Sequence, residues 1–385
     1  MSRGAKERFS AIWCYAWDLL DEGLDRSLGR IADIGLKGID LAVSYHCGMF
    51  LLPHNPKQKV RFLEDGSLYF HPHSGFFDGL AIQPRISRLA DEMDPLDVIC
   101  KAAERHGLEV VAWTVCTHNS YQGERHLDAT IRNAFGDPYI YGLCPANPDV
   151  QAYLQALLQE LSMYPFRTLQ LESYGYMGFP HGYHHEKINM DLGAMGNSLM
   201  GLCFCPACQR VAEQEGIDFE AARLATKGYL EDIFEERRRV PETVSEETIL
   251  NELPVLGPYL AMRDEIVKRF VLRLSAASTK PLNLLGIKQS MVEALSPHIG
   301  EVTVSGYRVP PEEVAEVTRA GRALVGPDMT LGIGIEACPH ISPDRDNLVD
   351  KVQQAWDAGA DNLYFYNYGL MPLRSLGWLK DALRS

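Results

Sequence analysis

The amino-acid sequence predicts an α/β protein with the fold of a (β/α)8 TIM barrel. Eight short apolar runs of strand length occur along the 385 residues, and helical patterns separate most of them. A doubly wound open sheet would need a glycine-rich phosphate loop after the first strand, and the segment WCYAWDLLDEG is not such a loop. We therefore interpret residues 1–385 as a single barrel domain with long insertions after strands 2 and 4.

The first half of the barrel is predicted from four strands that are separated by helices and by one irregular segment. A helical pattern at Leu24–Ile34 follows strand 1, and an amphipathic helix at Pro95–His106 precedes strand 3. The segment after strand 2 is irregular and rich in His, Pro, Phe and Gly, and a loop of that length usually has a function. Asn147 and Pro148 signal the start of a helix at 149–163. The four strands are predicted at Phe9–Tyr15, Ile39–Tyr45, Leu108–Cys116 and Phe166–Ser173.

The second half begins with a long excursion at 174–257, which is the predicted insertion after strand 4. It contains a cysteine-rich segment, CFCPAC, then a helix from Gln209 and the charged helical stretch EDIFEERRR. A helix at Tyr259–Ser275 returns the chain to the barrel. The remaining strands are predicted at Leu282–Ile287, Glu301–Ser305, Thr330–Glu336 and Asn362–Tyr366, with helices at 289–297, 311–323, 347–358 and 373–383.

The net charge and the cysteine content restrict the classes of partner. With 37 basic and 51 acidic residues, the net charge is −14, and no basic stripe is present to bind the phosphates of a nucleic acid or an anionic membrane. No apolar run has the length of a signal peptide core or a membrane span. The odd count of nine cysteines indicates reduced thiols. We expect a cytoplasmic protein that binds a small molecule, and the sequence leaves self-association into a homo-oligomer open.

Two carboxylates stand at the ends of predicted strands. Glu172 ends strand 4 in TLQLE, and Glu336 ends strand 7 in LGIGIE. The active sites of such barrels lie at the carboxyl ends of the strands, so we expect both side chains in one mouth. Paired carboxylates across a cleft cleave glycosidic bonds, with one as acid/base and the other as nucleophile. The sequence therefore predicts Glu172 and Glu336 as catalytic residues.

Aromatic and hydrogen-bonding residues are concentrated near the same strand ends. This mixture suits a sugar, because its C–H faces pack on aromatic rings and its hydroxyl groups need directional partners. The loop at 181–186 is rich in histidine, and its side chains are candidates for contact with either substrate or a metal. The predicted substrate-binding residues are Trp13, Trp17, His46, His118, Tyr174, His184, His185, Lys288, Tyr307, Asn367 and Tyr368.

A cysteine cluster follows strand 4. Cys203, Cys205 and Cys208 offer three thiolates within six residues, which suits a tetrahedral zinc ion that takes a fourth ligand from elsewhere. Cys144 is the first choice for that ligand, and Cys116 is the second. A zinc ion with four cysteine ligands has no open position, so we expect a structural role in fixing the excursion to the barrel rim.

These motifs resemble a known arrangement. An acid/base at the end of strand 4 and a nucleophile at the end of strand 7 are typical of clan A glycoside hydrolases. The segment CFCPAC after the strand-4 glutamate, with the earlier Cys-Pro segment at Cys144, is similar to the zinc-bearing barrel of family 42 β-galactosidases. The resemblance implies that Glu172 is the acid/base, that Glu336 is the nucleophile and that Cys144, Cys203, Cys205 and Cys208 bind zinc. The clan places an Asn directly before the acid/base, and this sequence has Leu171 there.

Three functions are compatible with these residues. The first is a retaining glycosidase that acts on a small glycoside or an oligosaccharide. The second is a sugar isomerase or epimerase that depends on a divalent metal, with His46, His118, Glu172 and Glu336 as ligands. The third is a carbohydrate-binding pseudoenzyme, which the presence of Leu171 in place of the Asn favours.

Overall fold

The structure, a computed structural model, describes residues 8–73, 75–181, 183, 185–238 and 243–384. Eight parallel strands form a closed barrel, because the first strand pairs with both the second and the last barrel strand. The predicted (β/α)8 TIM barrel is therefore confirmed. The strands are β1 Phe9–Cys14, β2 Gly38–Tyr45, β3 Met49–Leu51, β4 Val60–Phe62, β5 Ser67–Leu68, β6 Arg85–Ile86, β7 Glu109–Val115, β8 Thr130–Arg132, β9 Pro138–Leu143, β10 Thr168–Glu172, β11 Leu282–Leu285, β12 Glu301–Ser305, β13 Thr330–Glu336 and β14 Asn362–Tyr366. The barrel consists of β1, β2, β7 and β10 to β14.

Helices surround the barrel and also fill its insertions. Among the described residues, no helix is both long and apolar enough to cross a membrane. The helices are α1 Ala16–Glu22, α2 Leu24–Ile34, α3 Pro95–Arg105, α4 Ser120–Arg125, α5 Pro148–Leu161, α6 Gly193–Met200, α7 Pro206–Gln214, α8 Phe219–Phe234, α9 Glu246–Glu252, α10 Gly257–Ala277, α11 Gln289–Leu295, α12 Pro311–Val325, α13 Arg345–Asp357 and α14 Leu373–Ala382.

Two predicted helix bounds in the excursion differ from the structure. The charged stretch EDIFEERRR is helical only at its start, because α8 ends at Phe234 and residues 235–238 have no helical structure. The last arginine of the stretch lies outside the described residues. The helix predicted from Gln209 begins earlier, at Pro206, directly after Cys205. A proline suits this first helical position, since it has no N–H group and its backbone angle is already helical.

The barrel has three insertions at the carboxyl ends of its strands. As predicted, long segments follow strands 2 and 4, and they contain β3 to β6 and α6 to α9 respectively. The loop after the third barrel strand also has its own structure, namely α4 and the β8–β9 hairpin. Buried side chains of this hairpin and of the strand-4 insertion pack together in a hydrophobic cluster of their own. Two insertions thus share a core above the barrel rim.

The alternation of residues in β10 explains how the barrel directs side chains into its mouth. Leu169 and Leu171 belong to the apolar layer between strands and helices. Gln170 is buried inside the barrel, where its Oε1 atom accepts a hydrogen bond of 2.8 Å from Trp13 Nε1. Successive residues of a strand point to opposite faces, so Glu172 has the same direction as Gln170. The last residue of β10 therefore points into the barrel mouth.

Candidate active site

A cavity of about 530 Å³ lies at the carboxyl ends of the barrel strands and contains both predicted catalytic residues. We call it the carboxylate cavity. Each of the eight barrel strands, or the residue directly after it, contributes to its wall. The lining residues are Trp13, Tyr45, Trp113, Glu172, Leu285, Gly286, Thr303, Val304, Ser305, Tyr307, Arg308, Gly334, Glu336 and Tyr366.

Glu172 is held by a tryptophan of the neighbouring strand. The Nε1–H group of Trp113 donates a hydrogen bond of 2.6 Å to Glu172 Oε2. Burial of the carboxyl group raises the pKa of Glu172, and the hydrogen bond from Trp113 lowers it by a smaller amount, so the pKa is raised overall. A carboxyl group with a raised pKa keeps its proton to a higher pH, which is the state that a general acid requires.

Glu336 has polar and positively charged neighbours. Its carboxylate lies 3.1 Å from His340 Nε2 and 3.7 Å from Arg308 Nε. The side chains of Arg308 and His340 are largely exposed, with 77% and 63% of their surface accessible, whereas that of Glu336 is 9% accessible. An arginine at this distance favours the negative charge of a carboxylate. Glu336 thus faces the cavity beside a cationic side chain.

Glycines in β13 make room for the aromatic wall beside Glu336. A Cβ atom on Gly334 would lie 2.9 Å from the ring of Tyr307 and 3.1 Å from the ring of Trp13. Real Cβ atoms do not make the first of these contacts, so the position requires glycine. The alternation in LGIGIE places glycines inside the barrel and isoleucines in the outer apolar layer. The closely packed rings could not form this wall if the inner residues had side chains.

Aromatic rings surround the space between the two carboxylates. Trp13 lies edge-on to Tyr307 at 5.8 Å between ring centroids, and Tyr307 lies 5.6 Å from Tyr366. Trp113 and Tyr45 contribute further rings near Glu172, with centroids 5.0 Å apart. Such rings offer apolar faces and polar edges, which suits the C–H groups and hydroxyl groups of a sugar. The cavity therefore combines two carboxylates with surfaces that can bind a carbohydrate.

The structure brings four of the predicted residues together in the carboxylate cavity. These residues are Trp13, Glu172, Tyr307 and Glu336. Tyr45, Trp113 and Tyr366 were not predicted as members of the wall, whereas Arg308 was recognised as a strand-end residue but was not among the predicted substrate-binding residues. Tyr45 and Tyr366 are the last residues of β2 and β14, and Trp113 occupies an inward position in β7, opposite Gln170 of β10. The period-2 alternation of the strands could have identified Trp113 and Tyr366. It could not have identified Tyr45, which follows a register irregularity in β2, or Arg308, which lies in the loop after β12.

Two predicted histidines form a separate cluster at the rim. The rings of His46 and His118 stack with centroids 3.9 Å apart, and His118 Nε2 lies 2.9 Å from His181 Nε2. Burial lowers the pKa of His46 to about 4 and that of His118 to about 2, so both rings are neutral near pH 7. His185 is exposed, and His184 lies outside the described residues. This cluster does not belong to the wall of the carboxylate cavity as far as the structure describes it.

Tyr174 and Lys288 line a second cavity of about 650 Å³. This second cavity lies between the insertion after β10 and the helices α10 and α11, and it begins at Ser173, directly after Glu172. Leu285 lines both cavities, so they are neighbours. Tyr174 donates a hydrogen bond of 2.5 Å to the carbonyl oxygen of Gly286, a residue of the carboxylate cavity. This hydrogen bond forms part of the boundary between the two cavities.

Three other predicted residues have enclosed side chains. Trp17 is 1% exposed and stacks on Tyr15 with centroids 4.7 Å apart. Asn367 and Tyr368 are fully buried, and the hydroxyl group of Tyr368 accepts a hydrogen bond of 2.7 Å from Arg30. Among the described residues, these three are not part of the carboxylate cavity wall. The sequence could not show this, because the direction of a side chain after a strand end depends on the loop that follows.

Four cysteines from two insertions lie together above the barrel rim. Cys144, at the end of the β8–β9 hairpin, has its Sγ atom 3.8 Å from Cys203, 3.5 Å from Cys205 and 3.6 Å from Cys208. All four are buried, and none forms a disulfide bond. Zinc–sulfur bonds of about 2.3 Å in a tetrahedron place the sulfur atoms about 3.8 Å apart. These distances fit a metal with four thiolate ligands.

A second group of metal-ligating atoms lies at the end of β13. Ligand atoms of Glu336, Cys338 and His340 all lie within 4.8 Å of one another. The four sulfur atoms of the cysteine cluster are equally close to one another. The two groups differ in accessibility, since the cysteines are buried and His340 is exposed.

Comparison with solved structures shows that this fold occurs in glycoside hydrolases. The chain is similar to alpha-L-fucosidase isoenzyme 2 from Paenibacillus thiaminolyticus, with a TM-score of 0.60, 12% identity and coverage of 98% of this chain and 49% of that one. It is similar to the catalytic domain of beta-amylase from Paenibacillus polymyxa, with a TM-score of 0.57, 9% identity and 98% coverage of both chains. It is also similar to beta-galactosidase from the psychrophilic Marinomonas ef1, with a TM-score of 0.57, 12% identity and coverage of 98% and 59%.

These similarities establish the fold only, so the activity has to be inferred from the residues of the site. The chain spans about half the length of the fucosidase chain and less than two thirds of the beta-galactosidase chain. No protein-family model matches the sequence. No curated protein matches it either.

Proposed function

We propose that the protein is a glycoside hydrolase that cleaves its substrate with retention of configuration. One observation carries this proposal. Glu172 and Glu336, the last residues of the fourth and seventh barrel strands, line the same cavity, and aromatic rings surround them. Two carboxyl groups that face one sugar site are the groups that glycosidic cleavage needs. The fold of the neighbouring hydrolases agrees with this function.

The environments of the two carboxyl groups support different roles for them in the proposed reaction. In the first step, an oxygen atom of Glu336 attacks the anomeric carbon, while the bond to the leaving group breaks and Glu172 gives its proton to the leaving oxygen. In the second step, Glu172 accepts a proton from water, which attacks the anomeric carbon and releases Glu336. The raised pKa of Glu172 suits the group that begins as the acid.

The second cavity supports an oligosaccharide as the substrate. A general acid must contact the oxygen of the leaving group, so the leaving group lies on the side of Glu172. The second cavity begins one residue after Glu172 and borders the carboxylate cavity at Leu285. Its wall includes Tyr174 and Tyr176, with the guanidinium group of Arg263 4.2 Å from the ring centroid of Tyr176. This space can hold the leaving-group sugars of a longer chain.

The residue before Glu172 cannot form a hydrogen bond with the sugar through its side chain. Leu171 is fully buried in the apolar layer between the barrel and the helices, and it has no hydrogen-bonding group. The hydroxyl group beside the anomeric carbon therefore needs a partner elsewhere in the cavity. Arg308, which lies in the wall near Glu336, is our candidate because its guanidinium group is exposed and carries several donors.

Hydrolysis of aryl glycosides followed by NMR tests the proposed reaction. The panel should include α- and β-linked aryl glycosides of the common sugars, with short oligosaccharides as a second set. We expect cleavage of at least one substrate, and the anomer that forms first should have the configuration of the substrate. An inverted first product would exclude the retaining mechanism. Conversion of a free aldose to a ketose or an epimer, without hydrolysis of any substrate, would favour the isomerase.

We also propose that Cys144, Cys203, Cys205 and Cys208 bind a structural zinc ion, which the distances between their sulfur atoms support. Bound zinc would add stability by joining the two insertions.

Metal analysis of protein purified without a histidine tag should give about one equivalent of zinc. Cys205→Ser should lose it, whereas Cys100→Ser, at a buried cysteine of α3 outside the cluster, should keep it. Less than about half an equivalent in the unmodified protein would contradict the site.

A further inference from the structure

The short segment after β13 brings three different ligand types to one point. Glu336 provides a carboxylate oxygen, Cys338 a sulfur atom and His340 a ring nitrogen, and these atoms lie within 4.8 Å of one another. The oxygen and nitrogen atoms are 3.1 Å apart. Two ligands that share a cation at about 2.0–2.2 Å are separated by a distance of this size. The set therefore has the chemistry and the spacing of a metal site.

The turn that presents these ligands is fixed by its own hydrogen bonds. Ser342 donates from Oγ to the carbonyl oxygen of Glu336 at 2.8 Å and from its backbone N–H to that of Cys338 at 2.8 Å. The buried ammonium group of Lys351 donates to Ile341 O at 3.0 Å and lies 3.2 Å from Ser342 Oγ. These hydrogen bonds hold the segment between Glu336 and Ser342 in one conformation. Ligands that are already in place reduce the entropic cost of binding a cation.

The group differs from the four-cysteine cluster in its open side. The four cysteines are buried and are enough in number to fill every position of a tetrahedral site. Glu336, Cys338 and His340 offer three ligands, with His340 exposed and Glu336 at the cavity wall. Sites with three protein ligands leave a position for water or another small molecule. Sulfur and imidazole ligands favour zinc-like cations over magnesium and calcium, which prefer oxygen.

We propose that Glu336, Cys338 and His340 bind a thiophilic divalent cation of the zinc class, and that this cation inhibits the enzyme. The second part rests on the proposed role of Glu336 as the nucleophile. A carboxylate that coordinates a cation cannot attack the anomeric carbon, because its lone pairs and its charge are engaged. Cation and substrate both need the carboxylate of Glu336, which lines the cavity, so they compete for it. The concentration of free zinc would then control the activity.

The test measures cation binding and hydrolysis separately. Protein with its four-cysteine site loaded with zinc is titrated with Co²⁺, and the absorption of the thiolate–cobalt bond reports binding at Cys338. The same protein is titrated with Zn²⁺ during hydrolysis of an aryl glycoside. We expect one cobalt to bind per chain, and competitive inhibition by zinc that a chelator reverses. His340→Gln should weaken both effects by about tenfold or more, relative to the metal-free rate of the same variant. His298→Gln, at an exposed histidine outside this group, should behave like the unmodified protein.

Cys338→Ser provides a second check, because it should abolish the thiolate–cobalt absorption even if the variant has a different rate of hydrolysis. Binding of cobalt at Cys338 in a protein that hydrolyses no glycoside would retain the metal site and overturn the proposed function. Hydrolysis that zinc does not inhibit, with no thiolate–cobalt absorption, would retain the proposed function and overturn the metal site. Activation by zinc would overturn the inhibitory role and assign the cation to catalysis.

Discussion

The two sides of the carboxylate cavity differ in the way they surround their glutamate. On the side of Glu172, the neighbours are the buried rings of Trp113 and Tyr45. On the side of Glu336, the neighbours are the exposed side chains of Arg308 and His340. An apolar surrounding favours the neutral form of a carboxyl group, and a positive neighbour favours the ionised form. One cavity therefore offers two carboxyl groups in different environments, and burial raises the pKa of the one at Glu172.

Replacement of Glu336 should have the largest effect on activity. Glu336→Gln keeps the shape of the side chain but removes the proposed nucleophile, so we expect kcat/KM for an aryl glycoside to fall by about 10⁴-fold or more. Circular dichroism should show an unchanged fold. Glu312→Gln, at an exposed residue of α12, is the matched control and should keep the original activity. If Glu336→Gln kept the kcat of the unmodified protein, Glu336 would not be the nucleophile.

Replacement of Glu172, on the aromatic side of the cavity, should lower the activity by an amount that depends on the leaving group. Glu172→Gln cannot donate a proton, so kcat/KM should fall by about 10²- to 10⁴-fold for glycosides with a basic leaving group. Activated dinitrophenyl glycosides need little protonation and should lose much less. A series of aryl glycosides with different leaving-group pKa values measures this dependence. Equal losses across the series would contradict the role of Glu172 as the acid.

A bulky residue in the second cavity tests which side holds the leaving group. Ser198→Trp, in α6, should fill part of the second cavity and raise the KM for an oligosaccharide by about tenfold, the equivalent of about 1.4 kcal/mol of binding energy. The KM for an aryl monoglycoside should change less, because its leaving group is a single ring that reaches a smaller part of the second cavity. Asn251→Trp, at an exposed position of α9, is the control. Equal increases for both substrates would place the leaving group elsewhere.

The hydrogen bond from Trp113 should have the smallest effect, which is a shift in the pH profile. This hydrogen bond stabilises the ionised form of Glu172, so Trp113→Phe should raise the pKa of Glu172 further. The acid form then persists to a higher pH, and the alkaline limb of kcat/KM should move to higher pH. Trp378→Phe, in α14, should leave the limb where it is. A shift to lower pH, or none, would contradict the contribution of Trp113.

The barrel and the strand-end carboxylates could be predicted because they depend on local patterns. Apolar runs of strand length and the helices between them specified eight strands, and each run that ends in a glutamate marked a residue at the mouth. The cysteine spacing likewise identified three members of the cluster. Cys144 was chosen for its position in the chain, and the β8–β9 hairpin that positions it was not predicted. Sequence patterns therefore predict features that depend on residues close together in the chain.

The rest of the site depends on directions that a linear pattern does not contain. Tyr368 and Lys288 both follow predicted strands, yet Tyr368 contacts Arg30 of α2 while Lys288 forms an ion pair with Asp264 in α10. Each direction results from the packing of the loop against helices far away in sequence. Trp113, in contrast, has an inward position that the alternation of its strand already implies. The inward-facing positions within the strands would have identified more of the wall of the carboxylate cavity than the residues that follow the strands.

The cysteine cluster also has a consequence for the behaviour of the unfolded chain. A metal bound by the four cysteines would join residues that are 59 to 64 positions apart and would therefore close a large loop. A cross-link of that length removes conformational entropy from the unfolded state that is worth about 4 kcal/mol in the chain-entropy treatment. The closed loop contains β10 and the first part of its insertion. If the proposed zinc ion binds there, the strand that carries Glu172 lies within a loop whose closure depends on the metal supply of the cell.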